Sequence, residues 1–482
     1  MSFPSTISDL TARDRALKVE AAIPPGLFRV ENEEDRIAWR VAPEPFGLSV
    51  EQFSQIERIG NDLLRFYKAL NSLYARSVRG TAPAFIAEYL DLGKPEHIVR
   101  LSRQNRFKND IPAVIRPDLL ITESGFIASE LDSVPGGMGF VGAMAHAYGS
   151  AGIESVGGRD GMARGFAEIF AAQCGKEHPS VAVVVSEESG DYRAEMSWLA
   201  ADVARLGIAD VAVVRPEQVL FTEDALFVRD EAGNERRIDA IYRNFELFDL
   251  LNVPKQELML YAARHQRVRM TPPPKAHLEE KLSFALLHHY ALERLWVGEL
   301  GEELFIRLRT LFPETWILDP RPLPPQAAIV GVTLAGRPVD DFMHLAELTK
   351  SEREYVVKPS GFSELAWGSR GVKVANDLTR DEWSEALRNG LALFEKTPHI
   401  LQRFHKPKRV RQSYLDRRSD EIRTFDGRVR LCPYYFVVGE SVRVGGILAT
   451  VAPADKRLIH GMTDAVMASC AVAEKTASTQ PR

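Results

Sequence analysis

Residues 180–219, SVAVVVSEESGDYRAEMSWLAADVARLGIADVAVVRPEQV, constrain the fold more than any other stretch of this chain. Val181–Val185 is a β-branched run of the kind a sheet buries. Ala194–Leu206 then spaces its apolar residues at helical intervals, Gly207 supplies a stop, and Val211–Val214 repeats the strand pattern. Strands alternating with a helix imply a parallel sheet covered on both faces. RIDAIYRNFELFDL, 237–250, adds a further strand followed by a polar segment.

Helical spacing dominates earlier, in EQFSQIERIGNDLLRFYKALNSLYARS (51–77), so the first hundred residues are expected to be mainly helical. TPPPK at 271–275 punctuates the chain, and a helix is expected through HLEEKLSFALLHHYALERLW. RVRLCPYYFVVGESVRVGGILATV, 428–451, is expected to be a hairpin turning at Gly439-Glu440, and KTASTQPR is a polar tail. The 482 residues are enough for two or three domains of mixed α/β (α+β) class. A net charge of -5 gives no sign of a nucleic-acid or membrane-surface partner, and no stretch reaches eighteen apolar residues. Cys174, Cys432 and Cys470 form no CxxC pair, which argues against a zinc ribbon or a disulfide scaffold. With no apolar core of signal-peptide length, a cytoplasmic location is expected.

The chemistry is concentrated in RPDLLITESGFIASELDSVPGG, 116–137. With a three-residue turn at Glu123-Ser124-Gly125, Asp118 falls opposite Glu130 and Arg116 opposite Asp132, all on one face. Like charges facing one another destabilise a strand pair. The surplus negative charge suits a hard divalent cation such as Mg²⁺; alternatively, the acids are solvated surface residues. EYVVKPSGFSELAWGSRGVKV, 354–374, delivers Lys358 into a loop holding Gly361, Gly368 and Gly371. A lysine beside glycine-rich backbone can hold phosphate oxygens, although an ordinary turn has the same composition and no Walker A motif is present. HILQRF, 399–404, places Gln402 on a strand edge able to offer adenine polar partners, a weak signal by itself.

In their order and spacing these segments resemble the circularly permuted ATP-grasp family typified by the synthetase domain of glutathionylspermidine synthase. Arg116-Pro117-Asp118 and Glu130-Leu131-Asp132 match that family's metal-binding strand pair, with Asp132 where an asparagine is usual. The resemblance implies an ATP-grasp fold with an α/β lobe and a helical N-terminal region. It divides the chain into that region (1–100), the metal-binding hairpin and following helices (101–175), the lobe (176–275), a nucleotide-binding region (276–470) and a tail (471–482). It also implies ATP and Mg²⁺ as cofactors. Asp118, Glu130 and Asp132 would hold metal, and Lys281, Lys358, Gly361 and Gln402 would contact nucleotide. Arg116 would stabilise the transferring phosphoryl group or the acyl-phosphate intermediate. Arg443, before Gly445-Gly446, is the candidate for gripping a substrate carboxylate, or else a solvated strand residue.

The implied activity is an ATP-dependent carboxylate–amine ligase acting on a small-molecule or peptide carboxylate and an amine. The alternatives are a small-molecule phosphotransferase and a non-catalytic nucleotide-binding protein. Other features carry less: adjacent His288 and His289 point in different directions on a helix, His460 suits a cap or packing role, and the basic segment 405–423 suits a solvated loop.

Overall fold

The computed structural model describes residues 10–473 except 25, 28, 31–32, 38, 133, 230–232, 325–326, 361, 367–369, 457–458 and 460–463. Gly361, Gly368, His460 and the polar tail therefore lie outside the described residues.

The architecture is mixed α/β, with three principal sheets. In the largest, the order is Phe46–Leu48, Val466–Val472, Ser441–Pro453, Glu421–Val438, Val114–Thr122 and Gly125–Asp132, and Arg409–Asp416 pairs along the first half of Glu421–Val438. Every pairing in it is antiparallel except that of Val466–Val472 with Phe46–Leu48. The long hairpin turns at Gly439-Glu440 as expected, with Gly439 at φ +62°. Helices Val50–Val78, Met138–Ser150 and Gly161–Cys174 pack on this sheet and share its core. The 29-residue Val50–Val78 opens with a reciprocal cap between Ser49 and Gln52, which satisfies two N-terminal N–H groups.

The second sheet is wholly parallel, ordered Arg269–Thr271, Ala240–Asn244, Ser180–Val185 and Asp210–Val214, with helix Arg193–Leu206 as the crossover. This is the strand–helix–strand unit expected from 180–219, and Gly207 ends the helix at φ +64°. The third sheet runs Thr315–Ile317, His399–Arg403, Tyr355–Pro359 and Lys373–Val374, all antiparallel, over a separate core that includes Trp383 of helix Arg380–Ala392.

Two expectations about these elements fail: the basic segment 405–423 is no loop but largely strand, Arg409–Asp416 pairing with the start of Glu421–Val438, and an expected helix is broken. HLEEKLSFALLHHYALERLW is not a continuous helix but a 3₁₀ turn, helix Leu282–His288, a second 3₁₀ turn and helix Glu293–Leu300. At the break His289 is extended, and the Leu286 carbonyl accepts both the His289 N–H at 3.4 Å and the Trp296 indole N–H at 2.8 Å. Lys281 consequently sits at the start of a short helix rather than within a long one.

Close approach between layers is set by glycine. A Cβ built on Gly165 would lie 2.2 Å from the Phe436 ring, and one on Gly445 would lie 2.3 Å from the same ring. The fully buried ring is thus held between helix and sheet by two absent side chains. Gly165→Ala is expected to cost about 1–3 kcal/mol through overpacking, and Gly165→Ala with Phe436→Leu to recover part of it. Urea unfolding midpoints of the three proteins test this.

Candidate functional site

The acidic hairpin reaches the expected pairing by an unexpected route. Its turn has two residues, Glu123 and Ser124, and closes on a Thr122–Gly125 pair. That register alone would offset the acids, but a β-bulge opposite the Asp118–Leu119 step restores it, leaving Ser129 as the extra residue. Arg116 then faces Asp132, and Asp118 faces Glu130. The bulge also releases the Ser129 carbonyl, which accepts a hydrogen bond from Lys358 Nζ at 2.9 Å.

Lys358 arrives from the third sheet. Its ammonium also donates to Gln402 Oε1 at 2.8 Å, and Gln402 Nε2 donates to Thr315 Oγ1 at 3.3 Å. Gln402 therefore braces the lysine from the neighbouring strand; its side chain is buried rather than offered along an open edge. Lys281 approaches from a third direction, 3.0 Å from Glu130 Oε1, and donates to the Ala366 carbonyl at 2.8 Å. Both lysine-bearing turns are anchored to the N-terminal helical region. Glu280 forms a fully buried ion pair with Lys94, and its other oxygen accepts from Ser360 Oγ at 2.6 Å.

Arg116 lies 2.9 Å from Asp132 Oδ2 and 3.4 Å from Asp118 Oδ1, and donates to the Gly136 carbonyl at 3.3 Å. The Tyr434 hydroxyl donates to the same carbonyl at 2.6 Å. Gly137 follows at φ +91°, with room for no side chain, because a Cβ there would meet that hydroxyl at 2.4 Å. Asp118 is nearly buried and doubly held: Arg430 donates to Oδ2 at 2.9 Å and Cys432 Sγ to Oδ1 at 3.3 Å.

Burial and charge act against each other throughout this cluster. Burial works to raise the Asp118 pKa, but Arg430 and Arg116 together outweigh it and hold the carboxyl below its ordinary value. For Asp132 burial wins, with Arg116 opposing and Glu130 reinforcing, and the pKa is raised. Burial likewise lowers Lys358 to about 8, against the attraction of Glu130, whereas Lys281 is held above its ordinary value because Glu130 outweighs burial. Two further acids extend the cluster. Glu246 is raised well above the ordinary range by burial and by Glu279 and Asp132; Glu279 itself is paired with Arg243.

The hairpin, the lysine strand and the loop after Gln402 line an open cleft. Asp118, Glu130, Lys358 and Arg430 line one part, and aliphatic side chains such as Leu120, Ile127, Val356 and Val374 line another. Of the residues singled out in the sequence, Arg116, Asp118, Glu130, Asp132, Lys281, Lys358 and Gln402 come together here. Arg443 does not. It is half-exposed on the long hairpin, paired with Glu168 at 2.7 Å, because its alternation along the strand points it at helix Gly161–Cys174. Arg430, Glu246 and Glu279 were not anticipated. Arg430 carries a local hint, an arginine directly before the apolar run that begins at Leu431, but its partner is 312 residues away.

Three carboxylates of the kind a hard divalent cation takes stand on adjacent strands, Asp118 buried and Glu130 and Asp132 part-exposed, with Asp118 and Asp132 held by arginines in this structure. Arg116, Arg430, Lys281 and Lys358 stand among these carboxylates, so the cluster brings cations and acids together from separate elements.

No family model matches the sequence, and no curated protein matches it. Among solved structures, a glutathione synthetase-like effector from Globodera pallida, in its apoform, superposes with a TM-score of 0.58 over 98% of this chain and 100% of that one. The fold is synthetase-like. At 12% identity the likeness concerns the fold alone. A structure described as a putative gamma-glutamylcysteine synthetase from Methylobacillus flagellatus, also 12% identical, covers 83% of this chain and 89% of its own, but its TM-score of 0.38 carries no argument. Because the first match spans nearly the whole chain, the N-terminal helices belong to the shared fold.

Lys358 gives a titration test. Its folded pKa of about 8 lies below the ordinary 10.5, so between those values the unfolded chain binds more protons. The group's contribution to stability therefore rises with pH across that window, by on the order of 3 kcal/mol. Denaturant unfolding of wild type and Lys358→Met across this range is expected to show the difference between them moving in favour of wild type as pH rises. A pH-independent difference would refute the shift.

Proposed function

We propose that the chain is an ATP- and Mg²⁺-dependent carboxylate–amine ligase with a circularly permuted ATP-grasp site. The observation that carries this reading is the convergence of Lys281 and Lys358, from separate elements, on Ser129 and Glu130 of the acidic hairpin. Phosphates need opposed cations and a divalent ion's oxygen ligands within a few ångströms, and this junction supplies both. The aliphatic part of the cleft suits a purine ring.

In this reading Asp118, Glu130 and Asp132 provide carboxylate oxygens to Mg²⁺, which when bound neutralises phosphate charge during transfer. Lys281 and Lys358 exchange their protein acceptors for phosphate oxygens, which restores full charge to the buried Lys358. Arg116 is fixed by Asp132 and the Gly136 carbonyl, preorganised to stabilise charge developing at the substrate acyl group. Arg443, paired elsewhere, has no part in this reading. The likeness to a glutathione synthetase-like effector agrees with a ligase that joins a small or peptide carboxylate to an amine.

A second reading, a nucleotide-binding protein without turnover, is favoured by Asp118, both of whose oxygens are already engaged by Arg430 and Cys432. Nucleotide accounting separates the two. ADP release is expected only when a carboxylate and an amine are both supplied. Lys358→Ala and Lys281→Ala are expected to weaken nucleotide binding roughly 10- to 100-fold. Nucleotide binding with no ADP release across a panel of acid–amine pairs would favour the second reading; ADP release unaffected by either lysine variant would refute the site.

A further inference from the structure

Three helices meet at a second polar cluster, on the opposite side of helix Met138–Ser150's capped start. His146 lies in that helix, eight residues beyond Met138 and hence about 12 Å along its axis. Asp202 lies in helix Arg193–Leu206, and Asp160 is the N-cap residue of helix Gly161–Cys174. One ligand atom from each of His146, Asp160 and Asp202 lies within 4.8 Å of the others.

Several features distinguish this cluster from an ordinary surface ion pair. The Asp202 side chain is only 4% exposed, and its Oδ2 has no hydrogen-bond partner among the described residues. His146 Nε2, which it faces at 3.3 Å, is likewise buried and without one. Asp160 makes no side-chain hydrogen bond to the N-terminus of the helix it caps, the usual use of an aspartate there. Instead its Oδ1 lies 4.0 Å from His146 Nε2. Arg205 donates to Asp202 Oδ1 at 2.8 Å and also contacts Asp160, so it orients both carboxylates and leaves Asp202 Oδ2 directed at the imidazole. Arg164 stands further off, 3.8 Å from Asp160.

We propose that His146, Asp160 and Asp202 form a binding site for a divalent transition-metal ion of the zinc class, distinct from the nucleotide cleft. Zinc bonds of about 2.0–2.1 Å at a tetrahedral angle separate two ligand atoms by about 3.3 Å, the spacing between His146 Nε2 and Asp202 Oδ2. Asp160, partly exposed, would close the 4.0 Å gap between its Oδ1 and His146 Nε2 to complete three protein ligands, leaving a fourth position for water. The imidazole selects zinc over magnesium. Arg205 plays the orienting role that outer partners play around metal sites, and its positive charge keeps the affinity moderate. The ion would clip together helices Met138–Ser150, Gly161–Cys174 and Arg193–Leu206.

The full-length protein, stripped with chelator, would be titrated with ZnCl₂ and separately with MgCl₂, following heat of binding and unfolding temperature. One zinc per chain is expected, with a rise in unfolding temperature that magnesium does not reproduce. His146→Gln is expected to weaken this zinc binding roughly 100-fold while leaving the unfolding temperature in chelator near that of wild type. Asp202→Asn is expected to weaken it similarly; should that variant fail to fold, His146→Gln decides alone. Absence of stoichiometric zinc binding by wild type, or equal zinc affinity in wild type and His146→Gln, would overturn the proposal and reduce the cluster to an imidazolium–carboxylate contact.

Discussion

The buried ammonium of Lys358 ties together parts of the molecule that are remote in sequence. It is held by the Ser129 carbonyl of the largest sheet and by Gln402 of the third, so two sheets meet across one cation. The Ser129 carbonyl is available only because a bulge removes it from the ladder, and the same bulge aligns Asp118 with Glu130. One inserted residue thus places the acids and seats the lysine.

Such a junction is a poor way to stabilise a protein. Taking ions out of water costs several kcal/mol each, and apolar residues of similar volume often serve stability as well or better. Here Arg116, Arg430, Lys281 and Lys358 crowd against Asp118, Glu130 and Asp132, and burial alone displaces Lys358 and Asp132 toward their neutral forms. The strain is concentrated where a charged ligand would relieve it. Asp118 resists protonation because two arginines outweigh its burial, whereas Asp132 faces one arginine and a neighbouring glutamate. An amide at 132 would remove that repulsion, so the aspartate there makes the cluster more dependent on a bound cation.

Much of the local structure was legible in the sequence because it rests on short-range physics. The β-branched run at 181–185, the glycine stop at 207 and the Gly439-Glu440 turn each act within a few residues, and each stands where expected. The acidic hairpin is more instructive. Its pairing was anticipated from a three-residue turn; the chain uses a two-residue turn and a bulge, two differences that cancel in register. Alternation reports which residues share a face but not how the strand gets there. The break at His289 is not legible locally: the Trp296 indole that donates to the Leu286 carbonyl there stands ten residues further along the chain. Arg430 and Arg443 mark the limit. Both are arginines on the late hairpin, yet one grips Asp118 and the other a surface glutamate, and only the pairing of Glu421–Val438 with Val114–Thr122 separates them.

The N-terminal helices bear on how the cleft is held. Their sequence offers no catalytic pattern, but Lys94 pairs with Glu280, which in turn accepts from Ser360, two residues beyond Lys358. Glu280 also precedes Lys281 directly, so one buried carboxylate spaces both lysines against the helical region. Backbone so anchored cannot drift without breaking a buried ion pair, which costs several kcal/mol. The fold likeness that spans the whole chain and this short path of contacts therefore make the same point: the helical region is the fixed wall against which the lysines are positioned.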